Sequence, residues 1–544
     1  MKLQKMPMII MVSLLIIFGI LLCYRLDNIP GLFIDEINYM NEVISKANFG
    51  TDIQGLRHPV YFASVWGQGQ SVLYSWIVGP WIKLLGFSIL VFRLPMVLLS
   101  ILMVGATMIS IFLVTKDKLL AICVEIALIS MPWLIISSRW VLDANVSPIF
   151  IMMGLLSFYV SVSGYLSKRM TMIFLVLSGI IMSLSAYGYI ASWLYLPVLV
   201  IALAIFSLRK RLLGLKEIIL WLFTMVIVAI PLIIFAYRVN IQHIDHFTKF
   251  IFFDIPYLKA NRTSSLINFN QHILGNIIIN LKTGMFQFNS GTDGLPQNGL
   301  HPYGAIMPWM LVFFVIGVIV SKNKLKPSAV IFRNLIEISI VSFIPAMMII
   351  QANFNHWNFL WIPMTVIVGY GLYFTVNVLT SKILQIATLV FPILLILIFS
   401  FSSYFGVSGK NTYFNNFSGS APEASSINRM MKSRYSRNNL YIEGMSGNFS
   451  IFRLIQHPIN AVQYQSLEGS LRRSNVEIIP SPEKSFGYLR DASNIGQARK
   501  GDLAMIYQEN VRSFRFDKRF WRLIENTKFS HHSVEIFQKI SNKV

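Results

Sequence analysis

Little in this chain is charged, and little of the charge is acidic. Of its 544 residues, 13% are Asp, Glu, Lys or Arg, and 24 acidic residues stand against 46 basic ones. With 55% hydrophobic residues and a mean hydropathy of +0.61, a water-soluble fold is excluded, because a soluble surface of this size must be largely polar or mixed. Cysteine is nearly absent. Cys23 and Cys123 both sit in apolar stretches, which excludes a disulfide framework and a cysteine-based metal site. No repeat of fixed period and no low-complexity tract is present, so solenoids and disordered linkers are excluded. No Gly-rich phosphate loop or paired-carboxylate nucleotide site is present either, which argues against a nucleotide-sugar substrate. The net charge of +22 would point a soluble protein toward nucleic acid. Here the basic residues cluster between apolar runs, as they do in cytoplasmic loops, so the implied partner is the lipid bilayer and not nucleic acid.

What is present is a series of apolar stretches. A helix needs roughly 20 apolar residues to cross ~30 Å of hydrocarbon. Residues 6–24, 88–115, 119–137, 147–166, 171–187, 190–208, 217–237, 304–321, 330–350, 357–379 and 383–404 meet or approach that length. The first follows Lys2 and Lys5 and has no small-residue cleavage site after it, so it reads as a retained helix. The apolar stretch 71–86 is shorter and predicts a partial or re-entrant helix. Lys116 and Lys118, Lys168 and Arg169, Arg209 to Arg211, Lys322 to Lys326, and Lys382 mark one set of loops as cytoplasmic, together with the N-terminus. Residues 25–70, 138–146, 238–303, 351–356 and 405–544 then face outward. This parity requires that 71–86 does not cross.

The fold class that follows is an all-α polytopic membrane bundle of about 11 to 13 helices, with a small extracytoplasmic α/β domain behind it. The expected division is 1–404 for the membrane domain and 405–544 for the outer one. In the tail, Leu440 to Ile442, Leu503 to Tyr507 and Val534 to Phe537 read as short strands, the middle one buried.

Ionisable and polar residues gather in the outer segments. Phe33-Ile34-Asp35-Glu36-Ile37 places two carboxylates just past the first span. Arg57-His58-Pro59 and Trp66-Gly67-Gln68-Gly69-Gln70 follow, and small and amide residues beside aromatics suit a cavity wall. Arg93 lies inside an apolar run, either snorkelling to the interface or partnering a buried anion. If the 138–146 segment continues a helix, Arg139 and Asp143 lie four residues apart on one face and pair. Tyr187 and Tyr189 close an outer turn, and Asn355 and His356 stand in a polar cluster, Asn353 to Asn358. The long loop 238–303 carries Ile251-Phe252-Phe253 and Ile277-Ile278-Ile279, patches suited to lying on a membrane, and its His243 and His246 have no metal-specific spacing.

Taken together, Asp35-Glu36 after the first span, Leu73 to Trp76 leading through Gly86 to Arg93-Leu94-Pro95, and Arg139 to Asp143 further on resemble the C-type (GT-C) integral membrane glycosyltransferases. Protein O-mannosyltransferases and bacterial aminoarabinose transferases are the members it is similar to. The resemblance covers about residues 1–210, and beyond that only the pattern of helices and an outer C-terminal domain. It implies an inverting transfer of a sugar from a polyprenyl-phosphate donor to an extracytoplasmic acceptor, which is a glycan, a lipid or a protein. On that reading Asp35 is the base, Glu36 supports it and Asp143 positions the acceptor. Arg57, Arg93 and Arg139 are the candidates for the donor phosphate, and His58, Gln68, Gln70, Tyr187, Tyr189, Asn355 and His356 line the cavity. One departure is visible: aminoarabinose transferases carry Lys-Pro-Pro where this chain has Gln70-Ser71-Val72, so another cation must meet the phosphate. A divalent metal, Mg or Mn, is left open. The competing readings are a lipid-linked polysaccharide polymerase or ligase, which favours Arg and His in a large late loop, and a transporter or flippase, which needs polar groups at mid-membrane. The expected seat is the plasma membrane of a bacterium, with the active site outside.

Overall fold

In hydrocarbon no water is available to satisfy backbone N–H and C=O groups, so apolar runs must close their hydrogen bonds within themselves as helices. A computed structural model of the chain describes residues 2–27, 29–30, 34–63, 67–260, 265–295, 298–320, 322–406, 438–443, 489–514, 516–528 and 533–542. The chain folds as two units. One comprises Met1–Ile29, Pro59–Trp81 and Leu85–Gly409, and the other Pro30–His58, Ile82–Leu84 and Lys410–Val544.

The first unit is a helical bundle. Among the described residues eight helices are long and apolar enough to span a bilayer: α4 (Ile89–Thr115), α7 (Asp143–Val162), α8 (Lys168–Ser185), α9 (Ser192–Arg209), α10 (Leu215–Asn240), α13 (Pro327–Ile349), α14 (Asn358–Val378), and α15 (Lys382–Ile398) with its π-helical extension to Tyr404. The pair α5 (Lys118–Ile129) and α6 (Pro132–Arg139) passes the same test together but bends by 61°. Two further apolar helices, α1 (Lys2–Cys23) and α12 (Pro308–Ile319), complete the set, and each of these elements falls on one of the apolar stretches marked in the sequence.

Local chemistry sets many of the boundaries. Ser88 accepts the Val91 N–H to start α4, and Asp117 accepts the Leu120 N–H to start α5. The span expected over 119–137 is broken because Pro132, at the first position of α6, cannot donate into a continuous helix. Packing between α12 and α14 is close enough that side chains are excluded. A Cβ at Gly371 would overlap the backbone of Phe313, and one at Gly317 would overlap Ile367, which is how glycine lets membrane helices approach.

The two ends of this unit are chemically distinct. At one, Lys326 Nζ donates to Thr115 O (2.8 Å), Lys116 lies over the Tyr165 ring (4.8 Å), and the Tyr373 hydroxyl donates to Asp117 (2.8 Å). These contacts gather three of the lysine-rich loops. At the other end lie Asp143, Tyr187 and the C-terminus of α1. Helix α3 (Leu73–Leu85) is 13 residues long and interrupted by Pro80. Its first residue bonds Tyr187 O (2.9 Å), and its Tyr74 hydroxyl donates to Phe92 O (2.5 Å) near the start of α4. Both its entry and the helix that follows therefore sit at the Asp143 end, so 71–86 does not cross and the alternation of loops required by the charge pattern holds.

At the same end a hairpin, β1 (Thr248–Phe250) with β2 (Phe253–Ile255), and a helix, α11 (Ile273–Ser290), lie between α10 and α12. Asn280 of α11 donates to the carbonyls of Met347 and Ile350 (both 2.8 Å) and accepts from Ala352 N, closing the C-terminus of α13.

The second unit contains α2 (Ile34–Phe49) and a five-stranded sheet. Asp35 and Glu36 occupy the first turn of α2, where the helix dipole favours negative groups; they were expected in a loop. Glu42 accepts Ile53 N, and Asp52 accepts Gln54 N and Leu56 N, which folds the chain back after α2. The sheet runs β4 (Leu489–Asp491), β3 (Leu440–Ile442), β5 (Leu503–Tyr507), β7 (Ser533–Lys539), β6 (Trp521–Lys528). β3 is parallel to both β4 and β5, and β7 is antiparallel to β5 and β6. Three of these strands are those read from the sequence, and the central one, β5, is buried as expected. Short 3-10 turns are the helical elements among the described residues of the tail. The core is Tyr441, Ala504, Ile506 and Phe537, with the Phe516 ring stacked on Phe537 at 4.1 Å.

Candidate active site at one end of the bundle

Asp143 is the first residue of α7 and is buried. One carboxylate oxygen accepts the Ser71 N–H (3.2 Å), which brings in a residue 72 positions earlier; the other accepts Ala144 N (2.9 Å). A network surrounds this helix start. Asn358, at the start of α14, donates to Ala144 O and Asn145 Oδ1 (both 3.1 Å) and accepts from Trp133 Nε1 (2.6 Å). Asn145 in turn donates to Trp140 O (2.6 Å). Three helices and the 67–72 segment are thus tied together through buried amide and carboxylate groups, which a low-dielectric site requires to be hydrogen-bonded.

The aromatic wall is close by. Gly188 packs against Val146, Ser147 and Leu73, so a Cβ there would press into all three. It sets Tyr187 and Tyr189 on either side. The Tyr187 hydroxyl donates to Val228 O (2.8 Å), its ring meets Trp76 (5.1 Å), and Tyr189 stacks with Phe359 (6.3 Å). Gln70 is buried, and its backbone pairs with Phe62 in both directions. Gln68 is half-buried. Gly69 has φ +89, and a side chain there would run into the Tyr61 ring. Trp66 lies outside the described residues.

Arg139 does not pair with Asp143. The helix stops at Arg139, residues 140–142 are not helical, and α7 begins at Asp143, so the four-residue spacing does not fall on one helix face. Its guanidinium instead reaches the end of α1. One terminal nitrogen donates to the carbonyls of Leu21 (3.2 Å) and Leu22, the other to Tyr24 O (2.8 Å) and Ile29 O (2.7 Å). The cation also lies over the Phe405 ring (4.8 Å) and the Tyr404 ring (5.6 Å). Arg93, equally buried, donates to Leu26 O (3.1 Å). Of the three arginines marked for phosphate, Arg139 therefore serves the unsatisfied carbonyls and the negative dipole end of α1, and Arg93 bonds the turn that follows it. For Arg139 to bind a phosphate, it would first have to release these carbonyls.

The second polar cluster ties loop to loop. Asp293 accepts from Asn298 Nδ2 (2.7 Å), Leu295 N and Phe354 N (both 2.9 Å). Burial holds its carboxyl above the usual carboxylate range, against the pull of those donors. His356 Nδ1 meets Asn353 Nδ2 and Gln351 O (both 2.9 Å), and Asn355 directs a buried Oδ1 that has no partner among the described residues.

In the second unit, Asp35 is half-buried, Glu36 is fully buried, and Arg57 and His58 are exposed. Among the described residues no three His, Cys, Asp or Glu side chains are gathered to hold a metal ion. Sequence reasoning gave no site role to Asn358, Trp133 or Ser71, although the first stands in the Asn353 to Asn358 cluster and the last beside Gln70. Asn358 had a visible signal, an amide at the start of a long apolar helix; Trp133 is marked only by its neighbours in space.

No protein-family model matches this chain, and no curated protein matches it in sequence. Its structure is similar to that of ArnT from Cupriavidus metallidurans solved with undecaprenyl phosphate, with a TM-score of 0.58 over 98% of both chains at 11% identity. It is also similar to ArnT from the same organism in the apo state, with a TM-score of 0.51 over 96% of this chain and 97% of that one, again at 11% identity. The chain therefore has the fold of the C-type membrane glycosyltransferases.

Proposed function

We propose that this protein is a membrane glycosyltransferase that moves a sugar from a polyprenyl-phosphate donor to an extracytoplasmic acceptor. The observation that carries the reading is the end-to-end likeness to a fold solved with undecaprenyl phosphate, which in this chain has a buried Asp143 network and aromatic wall at one end. A polyprenyl tail belongs among apolar helices, and its phosphate belongs at the interface where such polar groups lie.

The acceptor hydroxyl attacks the anomeric carbon, the bond from that carbon to the phosphate oxygen breaks, and polyprenyl phosphate departs. Asp35 takes the hydroxyl proton, a role that suits the more accessible member of the carboxylate pair. Glu36 supports α2 from inside the second unit, and Asp143 positions the acceptor. Exposed Arg57 is our assignment for the lipid phosphate. Arg93 and Arg139 add buried positive charge at the end of α1, which stabilises a departing anion more strongly than it would in water. His58, Gln68, Gln70, Tyr187, Tyr189, Asn355 and His356 are proposed to contact the sugar and acceptor. The lysine-rich end of the bundle is assigned to the cytoplasm, which puts the Asp143 end outside a bacterial plasma membrane. Residues 1–404 are proposed as the transferase domain and 405–544 as an accessory outer domain.

Mass spectrometry of cell-surface glycans from cells with and without the protein tests the reading and names the sugar. One sugar substituent is expected to disappear with the protein and to stay missing when only Asp35→Asn is restored, while polyprenyl-phosphate binding by the purified variant persists. An unchanged glycan profile, or full rescue by Asp35→Asn, would sink the assignment.

A further inference from the structure

Hairpin β1–β2 turns in two residues, Ile251 and Phe252, with Phe250 opposite Phe253. Two-residue hairpin turns demand left-handed backbone and are ordinarily filled by Asn and Gly. Here Ile251 sits at φ +58, a conformation that a β-branched residue adopts only under strain. Neither side chain repays that strain by packing inward: Ile251 is 77% exposed and Phe252 63%. A strained turn that displays two large apolar groups is poorly suited to water.

The position of the hairpin supplies a partner. Arg238, in the last turn of α10, donates to Thr248 Oγ1 (2.8 Å) and Lys249 O (3.0 Å), holding the base of β1 against the end of the helix. On the other side, Val60 N donates to Asp254 O (3.1 Å). Along α10, Ile219, Phe223, Ile227, Ile230, Ile233, Tyr237 and then Ile241 recur at three- and four-residue spacing and are exposed, forming the lipid-facing stripe of a span. Phe247, Ile251 and Phe252 add exposed apolar surface past the helix end, and exposed Lys249 stands in β1 next to the turn.

We infer that the β1–β2 hairpin is a membrane anchor whose Ile251–Phe252 tip enters the leaflet at the Asp143 end of the bundle, with Lys249 at the headgroups. The occupant is bilayer lipid: aromatic and aliphatic side chains flanked by lysine are the composition of an interfacial element. This holds whatever reaction the protein performs.

The test is a nitroxide at Phe252→Cys in a Cys23→Ser background, with the full chain in nanodiscs of phosphatidylethanolamine and phosphatidylglycerol. Relaxation by oxygen is expected to exceed relaxation by a water-soluble nickel chelate several-fold. The reverse ratio, or shielding from both reagents, would overturn the anchor, the first meaning water and the second a protein cover. An unlabelled variant, Ile251→Asn with Phe252→Gly, suits the backbone. It is expected to melt higher than the parent in detergent and to lose that advantage in nanodiscs; an equal gain in both would also overturn the proposal.

Discussion

Two fully buried arginines each close the C-terminus of a helix, at opposite ends of the bundle, and their surroundings differ. Arg333 donates to Val318 O and Val320 O (both 2.8 Å) at the end of α12, and its Nε bonds Glu337 (2.9 Å), which also meets Lys322. Arg139 does the same for α1 but meets carbonyls and aromatic rings, and its Nε has no partner among the described residues. The lysine-rich end is thus a joint partly neutralised by a carboxylate. At the other end no carboxylate among the described residues pairs with the guanidinium of Arg139, and the bonds of Asp143 include backbone N–H groups of Ser71 and Ala144. A buried charge without its counter-ion is costly, so the carbonyls and rings around Arg139 supply the compensation that Glu337 gives Arg333.

The comparison can be broken in order of effect. Asp143→Asn keeps the shape but only one of the two acceptors, and it is expected to lower sugar transfer about 100-fold or more while one unsatisfied buried N–H costs about 1 kcal/mol of stability. Glu337→Gln at the other end should lower stability and leave transfer unchanged. Transfer assays and thermal melts on the same preparations separate the two, and equal activity losses would end the distinction. Next, Arg139→Leu and Arg333→Leu should each cost about 3 kcal/mol in denaturant titrations. Adding Glu337→Leu to Arg333→Leu should restore nothing, since Lys322 still neutralises Glu337 in the single variant and loses its own partner in the double one.

A smaller effect concerns pH. Burial raises the carboxyl of Asp293, so the folded state holds the proton more tightly than the unfolded one. That contribution is complete below the unfolded carboxyl range and is lost as pH rises through the folded value. Asp293→Asn should therefore flatten the fall in melting temperature that the parent shows on going upward from about pH 4; an unchanged slope would exclude Asp293 as its source. Smallest is Lys322→Ala. This ion pair is about one-third exposed, so screening limits the loss to about 1 kcal/mol or less, and salt should shrink it further.

How much was legible follows from the range of each interaction. The spans were readable because crossing hydrocarbon is a local demand on composition, and which loops share an end of the bundle was readable because lysine and arginine mark loops one at a time. The non-crossing of 71–86 was implied by charge parity, but it took the bonds from Leu73 to Tyr187 and from Tyr74 to Phe92 to settle it. Asp143 was visible as an acid near a membrane surface. Ser71, Asn358 and Trp133 around it were not, because they come from positions tens to hundreds of residues away. Arg139 shows the limit most clearly. A four-residue spacing suggested an ion pair with Asp143, but the helix ends between them, and the guanidinium serves the carbonyls of a helix more than a hundred residues earlier.

By itself, then, the amino-acid sequence determined that this chain lives in a bilayer, which loops share a side, and where strands lie in the tail. Each of these rests on hydropathy, charge or alternation over a few neighbouring residues. Only the tertiary structure decided which polar groups meet, that the 119–137 span bends by 61° after Ile129, and that Arg139 closes α1. Such pairings satisfy buried donors and acceptors across long sequence separations, and nothing local to either partner records which one it will find.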